Sequence, residues 1–291
     1  MQNQISPLII SFGATDPVGA QGLFADQASF AAMGCHGLPV VTAILTGDTS
    51  HTDSLHPVDA DQVDDQARTV LEDMQIAAIK VGLVGSVENV TVIAEIAADY
   101  PDQPLVLDPV HTELHEQTPD ADDLLIAIQE LLLPQASLLV ISGIELARMS
   151  ESAEESEHTD LTSSVMSVID SGCEYVLVTG TASGATEIEN QLFSESGLIR
   201  KYNWPRITGT HSGAGSTLSA AIAALLANGM NMTDAVLEAQ EYTHATLRHA
   251  QQLGMGKLVP DRFFWAKEAA AEQLNDQTNH SELNTENDQQ K

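Results

Sequence analysis

Short apolar runs alternate with longer segments of helical spacing along this chain, and no other feature restricts its fold so strongly. Buried strands are expected at residues 7–12, 39–45, 77–84, 104–107, 137–141 and 175–178. Helices are expected between them at 20–33, 63–74, 87–98, 122–133 and 161–171. Strand–helix–strand order repeated in this way calls for a parallel sheet, because the crossover helix returns the chain to the start of the next strand. After residue 179 the pattern changes. Residues 186–193 and 198–204 read as a two-strand meander near one edge. Helices follow at 215–227 and 233–252, the first stopped by Asn228-Gly229. The expected fold class is α/β, a central, mainly parallel sheet flanked by helices on both faces, in a single domain over residues 1–268. Residues 269–291 are rich in Asn, Gln, Glu and Asp with little apolar content, and a disordered tail is expected there. The acidic, polar run 151–160 reads as a solvated loop.

Hydrophobic residues make up 43% of the chain but aromatics only 4%, so the core must be aliphatic and Ala-rich. The longest apolar runs fall far short of the roughly 20 residues that span a bilayer. The start, MQNQISPLII, has no basic segment of the secretory kind, and a cytoplasmic location is the expectation. Acidic residues number 42 against 11 basic, a net charge of −31. Such a field repels nucleic acid and anionic membranes, so neither is expected as a partner. A nucleotide would need local donors or bound cations to approach. Cys35 and Cys173 lack metal spacing and are read as reduced, buried thiols.

Ligands of open parallel sheets bind beyond the carboxyl ends of the strands. Four clusters of polar residues and glycine fall at such ends. The first is SFGATDPVGAQGLFAD at 11–26. Its glycines permit tight turns, Asp16 is placed to brace the loop, and Asp26 lies one helical turn beyond Gly22. An ordinary strand–helix connection explains this cluster equally well. The second is Asp108-Pro109-Val110, where the Asp either holds Mg²⁺ or caps a turn. The third is Ser142-Gly143-Ile144-Glu145. The fourth is Gly213, Ala214, Gly215 and Ser216, whose successive N–H groups at a helix start form a cradle for phosphate. Together they suggest phosphoryl transfer, which needs positioning, a metal and anion stabilisation. Neither a P-loop GxxxxGK[ST] nor a dinucleotide GxGxxG is present.

These residues also carry a resemblance. GATDPVGAQGLFADQASF, IKVGLVGS, LVLDPV, GAGSTLSAAIAA and GMGKLVPDRFFW resemble, in order, the motifs of the hydroxymethylpyrimidine/phosphomethylpyrimidine kinases of thiamin synthesis, within the ribokinase-like superfamily. The match runs over about residues 7–265. The resemblance implies transfer of the ATP γ-phosphate to a hydroxymethyl group with Mg²⁺. It implies a pyrimidine pocket lined by Ala14, Asp26, Gly47, Leu83 and Val110. Residues 213–216 form the anion hole, with Ser216 in the catalytic position. Thr179 and Gly180 fall on the ATP side, and Asp108 and Glu145 near Mg²⁺. A small heteroaromatic alcohol and ATP are the implied ligands, and a homodimer the implied assembly.

Four sites depart from the family pattern, and a fifth mildly. The catalytic Cys is Ser216, and the superfamily more widely has Asp there. The Gln that contacts the pyrimidine falls at Gly47. The Lys near the ATP phosphates is Thr179. The NxPE-like stretch is reduced to Gly143-Ile144-Glu145-Leu146, while Leu83 replaces a Met. An unactivated Ser is a poor base at neutral pH. Three outcomes are therefore open: a pyrimidine kinase of reduced activity, a pyridoxal-type kinase, or a pyrimidine-binding sensor without turnover.

Overall fold

The structure, a computed structural model, describes residues 6–109, 121–151 and 160–266. Its strands are β1 (Leu8–Thr15), β2 (His36–Gly47), β3 (Thr52–Pro57), β4 (Ala78–Val81), β5 (Leu105–Leu107), β6 (Leu138–Ser142), β7 (Tyr175–Ser183), β8 (Glu187–Ser194) and β9 (Gly197–Pro205). They form one sheet in the order β3-β2-β1-β4-β5-β6-β7-β8-β9. The pairs from β2 through β7 are parallel. β3 joins one edge, and β8 and β9 the other, antiparallel. The central strands are short and apolar because both faces are covered: every residue of β4 and β5 is buried.

The helices are α1 (Gly22–Ala32), α2 (Ala60–Leu71), α3 (Val87–Ala98), α4 (Ala121–Ala127), α5 (Gly143–Glu151), α6 (Leu161–Asp170), α7 (Ala214–Ala227) and α8 (Met232–Arg248). Side-chain caps fix three starts. Asp59 accepts from the Asp61 N–H, Ser86 from Asn89 and Asn231 from Asp234. Two cores result. One packs α2 to α6 against one face of the sheet, and the other packs α1, α7 and α8 against the opposite face. Within α7, every residue from Thr217 through Leu225 is buried. A helix apolar on all sides belongs in the interior. The small side chains of Ser219, Ala220, Ala221, Ala223 and Ala224 let sheet, α1 and α8 approach it closely.

The expected layout holds, with local corrections. β3 and α5 were not expected. Helix 122–133 is interrupted: α4 ends at Ala127, followed by a π turn at Ile128–Leu132 and a 3₁₀ turn at Leu133–Gln135 that contains Pro134. The strand expected at 77–84 stops at Val81, and the helix expected to reach 252 stops at Arg248. β7 runs on to Ser183, because its second half pairs with β8 beyond a bulge. Both cysteines are free and buried. No described helix is long and apolar enough to cross a membrane. The expected tail and most of the acidic run lie outside the described residues.

Chain direction across the sheet reverses beside β1: β2 lies on one side of it and β4 on the other. The carboxyl ends of these strands therefore diverge, and the crevice between them is where such a sheet holds a ligand.

Candidate active site

The start of α7 is built around Gly213. Its φ is +79°, and a Cβ there would lie 1.7 Å from the Ala20 carbonyl oxygen. Only glycine fits so tight a crossing of two backbones in this conformation. The Thr217 N–H makes the first helical bond, to the Gly213 carbonyl at 3.0 Å. The N–H groups of Ala214, Gly215 and Ser216 precede it, so they remain for an anion at the positive end of the helix dipole.

Arg262 fastens this turn to the loop after β1. Its guanidinium donates to Thr217 Oγ1 at 2.9 and 3.1 Å and to the carbonyls of Gly19 and Ala20. Burial lowers its pKa, opposed by nearby Tyr242, Asp26 and Asp16. Asp16 braces the same loop by accepting from the N–H groups of Val18, Ala20 and Gln21 at 2.9 to 3.0 Å. Gly22 closes it with φ +60°, where a Cβ would meet the Ala14 carbonyl oxygen at 2.2 Å.

A cleft of about 370 Å³ opens onto the start of α7. It is lined by Ala14, Leu83, Asp108, Glu145, Thr179 and all of residues 213–216, drawn together from strands β1 and β7, the segments after β4 and β5, and the first turns of α5 and α7. Gln21, Lys80, Ser142, His211 and Lys257 line it too. Ser219 Oγ donates to Asp108 Oδ2 at 2.7 Å. Burial pushes the Asp108 pKa up to about 7; Lys80 and Ser219 pull it back, while Glu145 and Asp26 add to the rise. Asp108 opens onto the cleft with only part of its surface, so most of its surroundings are protein and desolvation dominates.

Lys80 is the buried cation of the site, 1% exposed, with its ammonium 2.9 Å from Asp26 Oδ1 and 3.1 Å from Oδ2. Ser11 Oγ donates to the same carboxylate at 2.6 Å. Asp26 therefore does not turn toward a ligand as the spacing suggested. It is fully buried, and it meets the cleft only through Lys80. Glu145 accepts from the Ser142 N–H at 3.0 Å while Ser142 Oγ accepts from the Glu145 N–H at 3.2 Å. This is a capping box at the start of α5, and it occupies one carboxylate oxygen.

Other expected site residues lie apart. Gly47 borders a smaller neighbouring cavity with Asp16, Thr49 and Lys257. Gly180 does not line the cleft; its N–H donates to Asn190 Oδ1 at 2.9 Å. Val110 lies outside the described residues. Sequence reasoning missed Lys80, although a lone lysine inside an apolar strand is a readable signal. It also missed Lys257, His211 and Arg262, which reach the site only through the fold.

No cluster of three or more metal-binding side chains occurs among the described residues. Asp108 and Glu145 nonetheless fit Mg²⁺. Glu145 raises the electrostatic cost of the Asp108 charge, which a cation would relieve, and Mg²⁺ takes one or two carboxylates with phosphate and water completing its shell.

The profile of the family described as Phosphomethylpyrimidine kinase matches residues 16–261, most of the chain. The chain belongs to the phosphomethylpyrimidine kinase family. It is 30% identical to a hydroxymethylpyrimidine/phosphomethylpyrimidine kinase of Rhizobium meliloti, over 87% of this chain and 95% of that protein. The Escherichia coli protein of the same name is also 30% identical, over 85% and 93%. Among solved structures, pyridoxal kinase from Staphylococcus aureus in complex with pyridoxal superposes with a TM-score of 0.78 at 22% identity, covering 89% of this chain and 94% of that one. A phosphomethylpyrimidine kinase from Clostridium difficile superposes with 0.65 at 25% identity, covering 82% and 98%. The fold is ribokinase-like. Of the positions at which the resemblance implies a departure, Ser216 and Thr179 line the cleft, and Gly47 borders its neighbour.

Proposed function

We propose that this chain transfers the γ-phosphoryl group of ATP to hydroxymethylpyrimidine, to its monophosphate, or to both. The observation that carries the reading is the meeting of the α7 N–H cradle with Lys80, Asp108 and Glu145 in one cleft at the sheet's reversal point, in a chain that matches this family over residues 16–261. The nucleotide lies toward Ser142, Glu145 and Thr179. The acceptor lies toward Ala14, Leu45 and Leu83. The cradle stabilises charge on the transferring group between them. Mg²⁺, held by Asp108 and Glu145, supplies charge neutralisation to the phosphates when bound. Lys80, paired with Asp26 behind it, lines the cleft together with Asp108. The expected setting is a cytoplasmic homodimer.

A second reading has specific support. Ser216, Thr179 and Gly47 stand where the resemblance places a catalytic Cys, a phosphate-binding Lys and a pyrimidine-binding Gln, which suits a sensor that binds without turnover. ADP release with Mg-ATP and hydroxymethylpyrimidine, phosphomethylpyrimidine or pyridoxal, run beside calorimetry of each ligand, separates these cases. Turnover of either pyrimidine supports the proposal. Turnover of pyridoxal alone replaces it with the pyridoxal-type reading. Tight pyrimidine binding with no ADP from any acceptor establishes the sensor.

A further inference from the structure

Resting on the kinase reading above, we propose that Asn190 is a positioning residue for the nucleotide end of the cleft: its side chain, aimed by the buried Gln240 and by Trp204, holds the β7 bulge that presents Thr179. The bulge is set by register. Val178 pairs with Gln191 and Ala182 with Glu189, so Thr179, Gly180 and Thr181 of β7 stand opposite the single residue Asn190 of β8. Such a surplus cannot share the regular ladder, so something other than strand pairing must hold it. The Asn190 side chain does this. Its Oδ1 accepts from the Gly180 N–H at 2.9 Å, and the Gly180 φ of +68° favours glycine. One residue earlier, Thr179 still pairs with Ser142 of β6, and both line the cleft. One residue later, Thr181 Oγ1 donates to the Glu189 carbonyl at 3.2 Å. Gly180 is thus the pinned corner between the cleft and β8. A bulge re-aims the side chain beside it, and here that side chain is Thr179.

The Asn190 amide has one permitted orientation. The indole N–H of Trp204 only donates, so the Gln240 Oε1 must face it, at 2.9 Å. Gln240 Nε2 is then left to donate to the Val236 carbonyl, at 3.1 Å. The same Gln240 Oε1 lies 2.8 Å from the Asn190 amide, so Asn190 must present its Nδ2 there and turn its Oδ1 to the Gly180 N–H. Gln240 is only 3% exposed. A buried amide left unsatisfied is costly, so these bonds hold as a unit. Trp204 is itself placed, with its ring 5.3 Å from that of His244, whose Nε2 lies 3.1 Å from the Pro205 carbonyl. Side chains from α8, β9 and β8 therefore converge on one backbone N–H beside the cleft. This precision matters because the resemblance implies a lysine where Thr179 stands. A lysine reaches a phosphate on a flexible stem, whereas a threonine hydroxyl goes only where the backbone puts it. The Thr179 hydroxyl lies 3.5 Å from the Ile141 carbonyl, long for a hydrogen bond, and a phosphate oxygen competes well for its proton.

The test is calorimetry of Mg-ATP on the full chain without acceptor, beside steady-state kinetics with hydroxymethylpyrimidine. Asn190→Ala should weaken Mg-ATP binding about 5- to 30-fold, the range set by leaving a buried hydrogen-bonding group unsatisfied. KM for ATP should rise by a similar factor while KM for the acceptor stays within about twofold, because the acceptor end is remote from the bulge. Gln240→Leu should act in the same direction as Asn190→Ala. Gln240→Glu offers the same acceptor oxygen to Asn190 and Trp204 and, protonated, still donates to Val236, so it should keep most of the affinity. Asn231→Ala is the stability control. It removes the cap bond from the Asp234 N–H at the start of α8, so it should lower Tm without changing ATP affinity. ATP affinity unchanged in Asn190→Ala, or weakened as much in Asn231→Ala, overturns the proposal. Equal rises in both KM values overturn the assignment to the nucleotide end. A wild type that binds Mg-ATP but releases no ADP fails the kinase reading alone, and the calorimetric comparison still decides the role of Asn190. A wild type that binds no Mg-ATP overturns both.

Discussion

Replacing Gly213 by alanine tests whether the cradle is a strained crossing that only glycine permits. The new Cβ would start 1.7 Å from the Ala20 carbonyl oxygen, at a φ of +79°. The conformation alone costs alanine about 1–2 kcal/mol. Relief of the clash must move backbone, and the Ala20 carbonyl is held by Arg262, which also binds Thr217 Oγ1. Loss of one such charged hydrogen bond costs about 1.5–3 kcal/mol. The sum is about 3–5 kcal/mol, which for a chain of this size lowers Tm by about 6–20 °C. Differential scanning calorimetry of wild type and Gly213→Ala measures this, with Gly229→Ala as a control, since a Cβ at Gly229 meets nothing within 4 Å although its φ is +86°. The control isolates the conformational cost from the collision. Equal Tm losses in the two variants would refute the reasoning, because the crossing with Ala20 would then contribute nothing.

Lys80→Met should destabilise the chain by about 3–5 kcal/mol, the typical cost of leaving a buried charge unpaired, and the double variant Lys80→Met/Asp26→Leu should recover much of it in urea unfolding. Burial pushes the Cys173 thiol up to about 12, and that of Cys35 upward as well, so neither should react with a thiol reagent at pH 8.5 before the chain unfolds. The sign follows: both thiols ionise more easily unfolded, so their contribution to stability is present below about pH 9 and is lost as pH rises toward 12. A Tm that rose between pH 9 and 11 would contradict this. Ser216→Ala should leave ATP affinity within about twofold in calorimetry, because backbone N–H groups supply the cradle. A large loss of affinity would show that the hydroxyl binds the nucleotide.

The architecture was legible because alternation of period and element length is local. Each central strand is an apolar run, and each crossover shows a helical stripe. β3 was not legible, since polar residues such as Thr52, Asp53, Ser54 and His56 show no buried face. They pair with β2 only because the chain folds back there. α5 was readable in principle from Ser142 and Glu145, the two ends of a capping box, but the stretch was read only as a strand end with a carboxylate. Asp26 and Lys80 were each visible as a lone charge in an apolar element. That they neutralise each other across 54 positions depends on β1 and β4 lying side by side. Arg262 and Lys257 act through crossings near the end of the chain with residues 19–20 and 49, and no local pattern encodes such partners.

The most direct test of the central claim is phosphorus-31 NMR of the full chain with Mg-ATP and phosphomethylpyrimidine. The account predicts ADP and the pyrimidine diphosphate appearing in equal amounts, and the loss of both in Asp108→Ala. Unchanged ATP, or ADP accompanied only by inorganic phosphate, with the pyrimidine bound in calorimetry, would contradict it.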